Sequence, residues 1–318
     1  MRTFLIGLAA AAALIAPAHA ADKVTVAVTA IVEHPALDAC RDGVKEALAK
    51  AVYVEGDNLK FVYESAQGNP ATAAQIARQF IGEAPNVIVP ISTPSAQAVV
   101  AGTRDIPVVF SAISDPLAAK LVTDLDKPGA NVTGVSDMSP IKDQMALIKE
   151  IVPTAKTVGV IYNPGEANSV ALLDMFRAKA PDFGFEVVES AATKSSEVMG
   201  AARALVGKAD AIYIPTDNTI ISALESAVQV ADQNKVPLFT ADTDSVKRGA
   251  LAAVGFNYFD VGVQTGELVV KILKGEKPGD LPVVFATGTN LVINPGAAEK
   301  MGVTLPDAVL KRATETVK

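Results

Sequence analysis

The sequence predicts an α/β protein made of two similar Rossmann-like lobes, each with its own parallel sheet. Three observations carry that prediction. Short apolar runs alternate with longer amphipathic stretches, the pattern of βαβ units with buried strands. The series runs to Phe110 and begins again at Thr157. The two series also match in detail. Val62-Tyr63-Glu64-Ser65-Ala66 corresponds to Val187-Val188-Glu189-Ser190-Ala191, and Asn86–Pro90 to Asp210–Pro215. Ile106-Pro107-Val108-Val109-Phe110 corresponds to Val236-Pro237-Leu238-Phe239-Thr240.

In the first half, strands are expected at Val24–Thr29, Leu59–Glu64, Val87–Pro90 and Pro107–Phe110. Helices are expected across Ala36–Ala51, Ala71–Ile81 and Ser95–Thr103. In the second half, the strands are Thr157–Tyr162, Glu186–Glu189, Ala211–Pro215 and Pro237–Thr240. Helices over Ser169–Ala178, Glu197–Val206 and Ile220–Gln233 connect them.

Composition narrows the function. The chain has 318 residues, 50% hydrophobic and 20% charged, enough apolar content for a sizeable core. Its formal charge of -7, with no basic run, points away from nucleic acid and anionic membrane. Cys40 is the single cysteine, which excludes an intramolecular disulfide and a Cys-rich metal site.

Residues 1–20 read as a cleavable signal peptide. Arg2 supplies the basic start, Phe4–Ala16 the apolar run, and Ala18-His19-Ala20 the small-x-small cleavage site. No cysteine sits at the cut, so a lipoprotein anchor is not expected. The Ala-rich leader indicates a bacterial, periplasmic protein.

Cleavage would remove His19 and leave His34 as the one histidine. The sequence has no G-x-S-x-G elbow, phosphate loop, G-x-G-x-x-G or H-E-x-x-H. Asp242-x-Asp244 lacks the glycine and distal glutamate of an EF-hand. No catalytic residue, metal or cofactor is therefore assigned.

Open parallel sheets bind ligands beyond the carboxyl ends of their strands. Polar segments fall at those ends in both halves. Ser92, Thr93 and Ser95 start a helix, with Thr93 as the expected N-cap, where free N–H groups favour a carboxylate. Ser114 and Asp115 follow the next strand. Asp217 and Asn218 take the equivalent place in the second half, as a ligand contact or a helix cap. Asp137 and Asp242 are further candidates for a cation, Asn168 and Ser169 for polar contacts. Tyr162 and Phe256 sit near strand ends or crossovers, as core residues or as a platform for an aromatic group.

Several segments carry a family resemblance. They are Glu33–Ala39, Ala66–Asn69, Thr93-Pro94-Ser95-Ala96-Gln97 and Ser114-Asp115-Pro116. Asn131–Asp137, Tyr162–Ser169 and Thr216-Asp217-Asn218 complete the set. Together they resemble the substrate-binding proteins of ABC importers, in the tryptophan/phenylalanine-type group with the type I periplasmic-binding fold. The resemblance implies two lobes joined by three crossover strands, near Val135–Met138, Gly255–Tyr258 and Leu281–Thr287. The N-terminal lobe would comprise 21–136 and 257–283, and the C-terminal lobe 137–256 and 284–318. The Phe259–Leu273 helix would return to the first lobe.

The implied function is capture of a small ligand between the lobes by hinge closure. The ligand would be an amino acid, aromatic or otherwise, or a related carboxylate. Its carboxylate would lie near Ser92, Thr93 and Ser95, and its ammonium near Asp137, Asp217 or Asp242. The partner would be an ABC permease in the inner membrane, and the protein a monomer. A periplasmic sensing subunit for a receptor is the alternative, and an enzyme on the same scaffold a third reading.

Overall fold

A computed structural model describes residues 23–317, so the signal peptide expected over 1–20 lies outside the described residues. The first half folds as β1 (Val24–Ala30), α1 (Pro35–Lys50), β2 (Leu59–Ser65), α2 (Pro70–Glu83), β3 (Val87–Ile91), α3 (Thr93–Gly102), β4 (Val108–Ile113) and β5 (Val132–Ser136). The second half begins with α4 (Ile141–Ile151), β6 (Thr157–Tyr162), α5 (Ala167–Lys179), β7 (Glu186–Ala191) and α6 (Val198–Leu205). It continues as β8 (Ala211–Ile214), α7 (Asn218–Ser222), α8 (Leu224–Asn234), β9 (Leu238–Thr240), α9 (Asp244–Lys247) and β10 (Ala252–Gly255). The chain ends with α10 (Tyr258–Leu273), β11 (Val284–Phe285), β12 (Asn290–Ile293), α11 (Pro295–Lys300), α12 (Asp307–Arg312) and β13 (Glu315–Thr316).

The strands form two sheets. The first has the order β11-β5-β4-β3-β1-β2, and the second β13-β12-β10-β9-β8-β6-β7. All neighbours are parallel except β10 and β12, which run antiparallel. Central strands such as β3 and β8 are buried along their whole length. Continuous burial on both faces is what makes them read as unbroken apolar runs. Each sheet reverses direction of growth once, between β1 and β3 and between β6 and β8. These reversals open a crevice at the strand ends, where a parallel α/β sheet takes its ligand.

The chain passes between the lobes after β5, after β10 and after β11. β11 pairs with β5, so Val284 and Phe285 stay with the first sheet. The division at 283/284 expected from sequence is therefore about two residues early, because edge pairing holds β11 on the first sheet. The C-terminal tail stays on the second sheet, where β13 extends the ladder from β12.

Helix α4 was not visible in the sequence pattern. It is anchored by buried Gln144, whose Nε2 donates to the carbonyl of Val254 at 2.9 Å. Its Oε1 accepts from the Tyr213 hydroxyl at 2.6 Å. The expected Ile220–Gln233 helix is two helices, because α7 is a separate turn held by acidic groups at its start and the chain bends at Ala223. Thr93 is the first residue of α3, and Ser92 takes the N-cap position instead.

Helix α10 returns to the first lobe and lies against α1. Gly43, Gly262 and Gly266 let the two backbones touch. A Cβ at Gly262 would collide with the carbonyl oxygen of Cys40, and one at Gly43 with that of Phe259. Gly82 in α2, by contrast, faces open space. Gly262→Ala is expected to destabilise the protein by about 1–3 kcal/mol through overpacking. Gly82→Ala is expected to stabilise it by about 0.5–1 kcal/mol by favouring the helix. Urea titration of both variants checks the pair, and equal midpoints would contradict the packing account.

Candidate functional site

The carboxyl ends of both sheets face one cavity of about 350 Å³. The first lobe lines it with His34, Leu37, Ser92, Thr93, Ala112, Ser114, Asp137 and Tyr258. The second contributes Asn168, Thr216, Asp217, Asn218, Ile221 and Asp242. Loops after β1, β3 and β4 meet loops after β6, β8 and β9, so both sheet reversals open onto the same space. The hydroxyls of Ser114 and Thr216 bond across the lobes at 3.1 Å, which places the lobes in a closed arrangement.

Two backbone positions on the wall are strained. Ser92 has φ 76° and Ala112 φ 55°, in the left-handed region that non-glycine residues avoid. Such strain costs about 1–3 kcal/mol per residue and clusters at binding sites. Ser92 thereby turns sharply out of β3, so that α3 points its free N–H groups at the cavity.

The hydrogen bonds separate two kinds of polar residue. In the first kind, the side chain serves the protein. Asp217 Oδ1 accepts from Ile220 N at 2.9 Å. Its Oδ2 accepts from Asn163 N and the Ser169 hydroxyl, each at 2.5 Å. Asp242 accepts from the backbone N–H and the hydroxyl of Ser245. Both aspartates line the cavity, yet every carboxylate oxygen already caps a helix or a loop. Ser169 lies behind Asp217 rather than on the cavity wall. Asp115 accepts from Leu117 N and Ala118 N and caps a turn outside the cavity.

In the second kind, a buried polar atom has no partner among the described residues. On the cavity wall these atoms are the hydroxyls of Ser92 and Thr93, Asp137 Oδ1, Asn168 Oδ1 and His34 Nδ1; the Ser95 hydroxyl is also without a partner, but Ser95 lies in α3 off the wall. A buried polar group left without a hydrogen bond costs about 1–3 kcal/mol, so five on one cavity wall call for a polar occupant. Asp137 is the one carboxylate of the three with a free oxygen. Its Oδ2 accepts from the Tyr258 hydroxyl at 2.6 Å, which aims the residue.

The expected aromatic platform is not on the wall. Tyr162 packs at the edge of the second core with its hydroxyl toward Glu189, and Phe256 is buried in the first core. Core packing claims both rings, and His34 and Tyr258 are the rings that reach the cavity. Glu166 is the residue that sequence reasoning missed. Buried, it accepts from Asn218 N and Nδ2, Thr219 N and Oγ1, and Asn168 Nδ2. It ties the loop after β6 to the start of α7. Its place in the polar Asn163–Ser169 segment was the available signal.

Burial sets the protonation of the site. It pushes Asp137 and Asp242 above the ordinary carboxylate range. Burial and then the neighbouring Glu166 carboxylate raise Asp217 to about 8, against its hydrogen bonds. A ligand ammonium beside Asp137 would restore its charge. His34 is pushed down to about 3, by burial first and then by the Arg248 guanidinium.

The family model described as ABC transporter substrate binding protein matches residues 25–317. The chain belongs to this family. It is 41% identical over 269 residues to the tyrosine-binding protein of Clostridioides difficile (strain R20291), covering 85% of this chain and 78% of that one. It is 36% identical to a Streptococcus pneumoniae ABC domain in complex with L-Trp, with a TM-score of 0.90, covering 93% of this chain and all of that one. A ligand-free, open substrate-binding protein with adhesive properties from Clostridium difficile is 40% identical over the same 93% of this chain and 100% of its own. Its TM-score is 0.70. The fit is thus better to the complex, despite lower identity, in keeping with closed lobes.

As an ABC transporter substrate-binding protein, the chain acts outside the cytoplasm on a small-molecule solute. Among the described residues, no helix is long and apolar enough to cross a membrane.

His34 gives the closed site a spectroscopic handle. An imidazole held near 3 stays neutral where a free one, near 6.5, takes up a proton. The stability that this folded, closed structure draws from a neutral His34 is therefore lost as pH falls from 6.5 toward 3, and above 6.5 His34 adds no dependence. In NMR of the ligand-saturated protein, the His34 ring signals should hold still from pH 8 down to pH 5. A titration midpoint between 6 and 7 would contradict the burial.

Proposed function

We propose that this protein captures an aromatic amino acid in the periplasm and delivers it, unchanged, to an ABC permease in the inner membrane. The carrying observation is the set of partnerless buried atoms, which divides into two poles. The α3 N-terminus with the hydroxyls of Ser92 and Thr93 donates to a carboxylate. Asp137 Oδ1 and Asn168 Oδ1 accept from an ammonium. An α-amino acid carries both groups on one carbon. Relatives that bind tyrosine and L-Trp support an aromatic side chain.

Closure follows from differential affinity. The ligand bonds to the first lobe through Thr93 and Asp137 and to the second through Asn168, so it favours the closed state. The hinge lies in the connectors after β5, β10 and β11. The protein works as a monomer, exported by a cleavable leader over residues 1–20, and carries out no chemistry. Its family membership supports this reading, since its relatives are binding proteins.

Calorimetry with L-tyrosine, L-tryptophan and a panel of other amino acids tests the proposal. Thr93→Val and Asp137→Asn should each weaken the aromatic ligand about 10–100-fold, as for loss of a hydrogen bond to a charged group. Asp115→Asn, outside the cavity, should leave affinity within about 3-fold of the parent. Undiminished binding by Asp137→Asn would remove the ammonium assignment.

A further inference from the structure

We propose that His34 reads the far end of the ligand, its Nδ1 accepting a hydrogen bond from an X–H group on the ligand's ring. The cavity would then select aromatic amino acids whose ring carries a donor, a phenol or an indole, over one with a plain phenyl ring. This rests on the aromatic amino-acid reading above.

Three observations lead to it. His34 lines the cavity at the N-terminus of α1, and its Nδ1 is shielded from solvent with no partner among the described residues. It takes the N-cap position of α1 but makes no side-chain cap bond, so the helix does not use the nitrogen. Its neighbours on that wall, Ala36 and Leu37, offer only apolar side chains.

Position in the sheet supplies the distance. Asp137 follows β5 and His34 follows β1, three strand positions apart in the first sheet. At the usual strand spacing of about 4.8 Å, this is about 14 Å. An amino acid with a six-membered ring spans such a gap when hydrogen-bonded at both ends. The hydroxyls of Ser92 and Thr93, after β3, lie between, where the carboxylate is expected. The apolar side chains of Leu37 and Ile221 suit the flat faces of a ring.

His34 is also kept neutral by burial and by Arg248. A neutral imidazole has one bare nitrogen that accepts, whereas an imidazolium has none. An indole N–H can only donate, and a phenol can do so, which makes both fit an acceptor. A site built to pair a buried polar atom rejects the analogue that leaves it bare.

The test is calorimetry of the mature protein with L-tyrosine, L-tryptophan and L-phenylalanine, repeated on His34→Leu. The parent should bind tyrosine or tryptophan at least about 10-fold more tightly than phenylalanine, a hydrogen bond's net value. His34→Leu should bring that ratio below about 3. His34→Gln, which retains an acceptor, should recover part of the preference. Equal affinities in the parent would overturn the proposal without any variant, as would an unchanged ratio in His34→Leu. If none of the three amino acids bound, the aromatic reading itself would fall. Binding without discrimination would remove only the role of His34.

Discussion

Closing two lobes over a cleft strips water from every polar group that faces it. In this protein, five such atoms on the cavity wall have no partner among the described residues. The penalty opposes closure, and a ligand that supplies the missing bonds reverses its sign. The rest of the architecture serves that constraint. Two sheets, each reversed once, point their crevices at each other. Three connectors keep the lobes joined while letting them part. The strained turn at Ser92 aims a helix terminus into the gap.

The surrounding hydrogen bonds show how the lobes are kept ready. Glu166 and Asp217 organise the second lobe's wall through bonds within the protein, each accepting several donors from neighbouring loops. Tyr258, in the segment of the second crossing, holds Asp137, at the first-lobe end of the first. The ammonium site proposed above is thus built from two hinge segments, and a ligand contact there bears directly on hinge geometry. Preorganisation of this kind lowers the ordering cost of binding.

The fold was legible because buried parallel strands leave an unmistakable trace. Val87–Ile91 and Ala211–Ile214 are apolar throughout and end at prolines or small polar residues. Helix α4 escaped because it follows a crossover and has no counterpart in the first half. The site was legible as a set of strand ends, but not atom by atom. Asp137, Asp217 and Asp242 look alike in sequence. Only the structure shows that two of them are engaged by caps while one keeps a free oxygen. Tyr162 and Phe256 misled because a ring at a strand end can turn either way, and packing turned both inward. Glu166 lies in a polar strand-end segment, and the sequence does not show which of that segment's side chains is buried against the α7 start.

Small-angle scattering of the ligand-stripped protein, with and without saturating L-tyrosine or L-tryptophan, tests the central claim that ligand bonds drive closure. The account predicts a smaller radius of gyration on ligand addition, and a final profile that matches this closed structure. An unchanged profile, under conditions where calorimetry shows saturation, would contradict it.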